Sequence, residues 1–180
     1  MPNPLLMPPP SSAQLDCWVS MNESLRLLVA ERDYPSELLH SARQMLAAGR
    51  FEVAVVTSQM ACEVCAERVI RTYFKARGVA YLEAAVESLL SSYNLSNDKV
   101  RRLYVALTGD QIQHQHFWTE YKTMVSLRNK AVHAGSRIQE SQAQMVVRTA
   151  ASVVKHLDRI KGRAFTADRG GDTPCRRAPP

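Results

Sequence analysis

Residues 117–135 read FWTEYKTMVSLRNKAVHAG, a helical pattern interrupted by one residue that does not fit it. Phe117, Trp118, Tyr121, Met124, Val125, Ala131 and Val132 recur at helical spacing and mark a buried stripe. At about 100° per residue, Arg128 falls roughly 20° from Tyr121, near the middle of that stripe. An unpaired guanidinium in a core costs several kcal/mol, so Arg128 must meet a carboxylate, open onto a cavity or face a subunit interface. Glu63 and Glu67 are the candidate carboxylates, with Glu67 better placed by helical phase. Asn129 and His133 lie at about 80° and 120° from Tyr121, along the flank of the stripe. Arg128, Asn129 and His133 therefore form a candidate site on one edge of one helix, with Glu63, Glu67 and Tyr121 as supporting residues.

The rest of the chain suits an all-α protein. Its 180 residues are enough for one domain with a real core. Hydrophobic residues make up 46 %, Gly and Pro are sparse between Tyr34 and Lys161, and no β-branched runs are flanked by turn signals. No apolar run reaches the length of a bilayer span, and MPNPLLMPPP lacks the flanks of a secretory leader, so no membrane partner and a cytoplasmic location are expected. Four cysteines in a chain of this length do not suggest a disulfide framework; reduced thiols are expected. From Glu37 to Lys161 there are 17 Lys and Arg against 11 Asp and Glu, so the helical body carries the whole surplus of +6. That permits an acidic partner such as RNA without demanding one.

Reading along the chain, residues 1–12 are Pro-rich and expected to be disordered, and 13–34 form an N-terminal helix that Tyr34-Pro35 ends. The compact domain spans 36–161. Glu37 to Ala48 and Phe51 to Ala76 form an αα-hairpin closed by Gly49 and Gly78. Val53, Met60, Val64 and Phe74 line one side of the second helix, while Phe51, Val55, Cys62, Cys65 and Val69 line another, which makes it the central helix. A third helix covers Ala80 to Ser91, and Ser96 or Asn97 caps a fourth ending at Gly109. The fifth runs from Gln115 to Val132 and exits at Gly135. Ser136 and Gln139 make a capping box for a last helix reaching Lys161. Residues 162–180 have too little apolar content to pack and read as a disordered tail.

The segment SLRNKAVHAG resembles the signature of HEPN domains, small helical bundles whose motif is an arginine, four to six residues, then a histidine. Four residues separate Arg128 from His133, Asn129 matches the polar residue that often follows the arginine, and the order of elements from Glu37 to Lys161 is similar. The resemblance implies a HEPN-like bundle with an αα-hairpin core and a homodimer in which two motif helices meet across a two-fold axis. It implies a metal-independent endoribonuclease acting on single-stranded RNA, a toxin or antiviral defence component, needing no cofactor. Attack of a ribose 2′-OH on the adjacent phosphate needs one group to take a proton and another to give one, so two copies of His133 would supply both. Arg128 would stabilise charge on the transition state, and Asn129 would position His133 or the phosphate. Lys130, read as facing the opposite side, receives no role. An antitoxin or other protein partner is also implied, but Gly135 replaces the tyrosine that some HEPN toxins offer to a modifying nucleotidyltransferase. The alternative is a non-catalytic HEPN-like module that binds RNA or protein.

Other features read as packing or solvated surface. Cys62 and Cys65 have CxxC spacing, but in mid-helix without a second pair they suit the core better than zinc. His114 and His116 lack the acidic or cysteine partners a metal site needs. Trp118 and Tyr121 fit core or dimer packing better than base stacking. Lys99, Arg101 and Arg102 suit a solvated helix face.

Overall fold

The computed structural model describes residues 33–90 and 92–167, and every regular element among them is helical. Six α-helices follow in order: α1 Tyr34–Ala47, α2 Phe51–Ala76, α3 Glu83–Leu89, α4 Asp98–Thr108, α5 Trp118–Ala134 and α6 Glu140–Ala167. Single 3-10 turns at Ala80–Leu82 and Ile112–His114 lead into α3 and towards α5. No helix among the described residues is long and apolar enough to cross a membrane. The readings for residues 1–32 and from residue 168 onward lie outside the described residues.

α2 is the central helix, as its two apolar sides predict. It packs along α1 and α6 and also meets α4 and α5. Small side chains make the close approach possible: Ala54, Ala61, Cys62, Cys65 and Ala66 are all buried on α2, facing partners such as Ala143, Val146 and Ala150 of α6. The thiols of Cys62 and Cys65 reach the carbonyl oxygens of Ala150 and Val154, each at 3.9 Å. Burial pushes both thiols well above their ordinary range, so they stay protonated as packing groups, and both are free rather than bridged.

One side of α2 departs from expectation. Val53 and Met60 are 48 % and 44 % exposed, whereas Phe74 is buried. Val53 and Met60 are two turns apart on one line, and α1 and α6 cover the opposite face. Helical spacing marked them as apolar without indicating which faces the neighbours would cover.

Three boundaries differ in an informative way. Tyr34 and Pro35 open α1, three residues before the expected start at Glu37, because proline's missing N–H costs nothing in a first turn. The expected box between Ser136 and Gln139 gives way to a single bond one turn later, where the Gln139 N–H donates to Gln142 Oε1 at 3.0 Å just before α6 begins. At its far end α6 continues past Lys161 to Ala167 with Ala164 buried, so residues 162–167 belong to the helix rather than to a tail. The Asn97 cap behaves as expected: its Oδ1 accepts the Lys99 N–H at 2.9 Å.

The end of α5 is tied to the start of α2 through Glu52, whose Oε1 accepts the backbone N–H of Ile138 at 2.9 Å. That bond, then a bond from its own backbone N–H, holds the Glu52 carboxyl below the ordinary 4.5. A depressed folded value means the contribution is fully present above 4.5 and is lost as pH falls through the lowered value. Glu52→Gln is therefore expected to lower the melting temperature near neutral pH, with the gap to wild type closing as pH falls below 4.5 and through the lowered value. A gap that does not change with pH would remove the charge from this account.

Candidate nucleic-acid interface on α5

α5 keeps the first part of its expected stripe, but Val132, read as part of that stripe, is 49 % exposed, because the helix runs past its covering neighbours in its last turn. Tyr121, Met124, Val125 and Leu127 are buried, and Gly135, at φ +59°, ends the helix. The N–H groups of Gly135 and Ser136 both donate to the Lys130 carbonyl. A left-handed residue is easiest for glycine, so the chain turns away one step after Ala134 and leaves His133 exposed in the last turn.

Tyr121 is the anchor. At 1 % exposure its hydroxyl accepts the Leu95 N–H and donates to Asn94 Oδ1, both at 3.1 Å, which straps the α3–α4 connection over α5. Burial pushes its phenol up, so it remains a donor. Trp118 stacks on Tyr121 at 5.3 Å between ring centroids, and the Arg101 guanidinium lies 5.7 Å over the Trp118 ring. Arg101 and Arg102 also share the single carboxylate of Asp98.

Arg128 sits in the phase of the buried stripe, but where that stripe reaches the end of the bundle, and it is only partly buried. It has no salt bridge to any carboxylate among the described residues. Glu67 pairs with Arg71 at 3.1 Å, and Glu63 Oε1 accepts from Gln59 Nε2 at 3.1 Å. The carboxylate answer to the Arg128 puzzle is thereby corrected: both acids are taken by residues on their own helix, one turn away. The Arg128 guanidinium instead donates to Asn129 Oδ1 at 3.2 Å.

Asn129 and His133 do come together, as one-turn neighbours on the wall of a shallow groove of about 610 Å³. Lys122, Ser126 and Lys130 line the same groove, with Ser96 on its far side. Lys130 thus belongs beside His133, contrary to its sequence reading: at 100° per residue the two are about 60° apart. Arg128 is not on this wall and reaches the groove only through Asn129. Lys122 and Lys130 make the groove basic, and no carboxylate lines it.

A second constellation escaped the sequence reading. His156 of α6 is 5 % exposed, in phase with buried Val153, Leu157 and Ile160. Its Nε2 lies 2.8 Å from Asp110 Oδ2, which also accepts from the Tyr104 hydroxyl at 2.8 Å. Arg159 Nη2 lies 2.8 Å from His156 Nδ1. A guanidinium only donates, so Nδ1 is the acceptor and Nε2–H the donor to Asp110. The one advance signal was a histidine on the apolar face of a long helix, which is most often a core residue with satisfied hydrogen bonds.

Fold and site together define an all-α helical protein with a basic groove along its penultimate helix. Compared with protein-family models, curated proteins and solved structures, the chain matches none.

Proposed function

We propose that this chain is a HEPN-type, metal-independent endoribonuclease acting on single-stranded RNA as a homodimer, with His133 moving the proton and Arg128 and Asn129 serving the phosphate. The observation that carries this reading is an arginine in a buried stripe that has no carboxylate partner and is linked through Asn129 to the groove holding His133. A structural ion pair would have explained Arg128 completely; without one, and with the side chain only partly buried, its charge is available to a phosphate or a second subunit. Lys122 and Lys130 add sequence-independent attraction for an RNA backbone. The exposed apolar side chain of Val132, directly before His133, gives a second copy something to cover beside the groove.

The reading is tested by incubating purified chain with single-stranded RNA in EDTA, alongside light scattering at micromolar concentration. Cleavage leaving a 2′,3′-cyclic phosphate, from a dimer, is the expected result. A monomer with no cleavage would sink it. The second reading, a module that binds RNA without cutting, gains from one observation: Arg128 and His133 are not on the same wall of the groove. Salt-dependent RNA binding without cleavage would select it.

A further inference from the structure

We infer that a cavity between the start of α5 and the second half of α6 binds the phosphate group of a phosphorylated small molecule, at a site separate from the α5 groove. The cavity has a volume of about 520 Å³, and Gln115, His116, Lys155, His156 and Arg159 are on its wall, with Phe117. That volume is in the range of small-molecule pockets and leaves room for an organic moiety beside the phosphate.

Charge is what selects the ligand. Lys155 and Arg159 are on the wall and no carboxylate is. Neither cation has a salt bridge among the described residues, although α6 carries Asp158 between them, which pairs with Lys161. The nearest acid across the helix, Asp110, is held behind His156: its Oδ2 accepts from both Tyr104 and His156, and its backbone N–H donates to Thr108 Oγ1. The negative group is turned inward and the positive groups face the cavity.

The site is also built. Ser152, Lys155, His156 and Arg159 follow at i, i+3, i+4 and i+7, one face of α6. His156 is wedged by an edge-on contact with Phe117 at 5.6 Å, and Phe117 makes another with His116 at 5.2 Å. Asp110 fixes His156, and His156 Nδ1 fixes one guanidinium nitrogen of Arg159, leaving the rest of the fork for an oxyanion. His156 is thus a positioning residue for Arg159. Ser152 gives its hydroxyl proton to the Arg148 carbonyl and acts only as wall.

The experiment is calorimetric titration of the full chain with inorganic phosphate, phenyl phosphate, phenol and a 5′-hydroxyl single-stranded oligoribonucleotide. Both phosphates are expected to bind and to compete with each other, and phenol is expected not to bind. Arg159→Gln and Lys155→Gln, both at exposed positions, are each expected to weaken phenyl phosphate by about tenfold or more. Lys130→Gln in the α5 groove should leave that affinity unchanged. Equal binding of phenol and phenyl phosphate, or unchanged affinity in both α6 variants, would overturn the site. Oligoribonucleotide binding that depends on Arg159 while phenyl phosphate does not bind would overturn the small-molecule assignment. Failure of the α5 reading would show as absent RNA cleavage with phosphate binding intact, so the two readings fail separately.

Discussion

His133→Ala is expected to lose RNA cleavage by about 100- to 10,000-fold, the usual contribution of a placed acid or base, while keeping its fold and its dimer. The side chain is exposed in the last turn of α5, so its removal opens no cavity. Its charge, when present, sits where a helix C-terminus favours it, a contribution of about 0.3–1 kcal/mol at most. A change of this size in rate without a matching change in melting temperature separates chemistry from structure. Lys130→Gln supplies the contrast, because an amine that only attracts the backbone should raise KM and leave kcat close to wild type. Cleavage by His133→Ala at the wild-type rate would remove the residue from the mechanism.

Tyr121→Ala is expected to destabilise the chain by about 3–5 kcal/mol, the cost of truncating a large buried aromatic. Tyr121→Phe separates the two parts of that cost. It keeps the ring against the core and removes the hydroxyl, leaving the buried Leu95 N–H without its acceptor and Asn94 without its donor. The penalty for the orphaned group is about 1–3 kcal/mol. Denaturant unfolding of both variants gives the comparison. If Tyr121→Phe matched wild type, the strap between α5 and the α3–α4 connection would have no energetic weight.

The helices were largely legible because their signals are local. Gly49, Gly78, Gly109 and Gly135 all adopt positive φ at the four helix ends where the sequence placed them as stops. Asn97 caps α4, and the bounds Phe51 and Ala76 of the central helix follow from its apolar sides and the flanking glycines. The start of α6 lies later than the sequence suggests, because the spacing of Ser136 and Gln139 recurs in Gln139 and Gln142, the pair that bonds. Spacing alone does not choose between registers three residues apart. Glu52, in the first turn of α2, takes the Ile138 N–H and fixes the chain just before the helix begins.

The candidate site divides in the same way. That Asn129 and His133 share a groove follows from one turn of helix, which the sequence contains. Lys130 points away from Arg128 and the stripe, yet it is only about 60° from His133 and lines the groove beside it. The Asp110–His156–Arg159 chain was invisible for a different reason. Asp110 and His156 are 46 residues apart, and nothing local to either announces the other.

By itself the sequence determined that this protein is helical, where most of its helices stop, and that Arg128 breaks an apolar stripe, because each of these is set by neighbours within a few turns. The tertiary structure alone decided which apolar faces are covered, so that Val53 and Met60 face outward and Cys62 and Cys65 inward. It also decided which acids were already spent, so that Glu67 serves Arg71 and leaves Arg128 to Asn129. A carboxylate can neutralise whichever cation comes within reach, and reach depends on the packing of whole helices, which no single stretch of chain encodes.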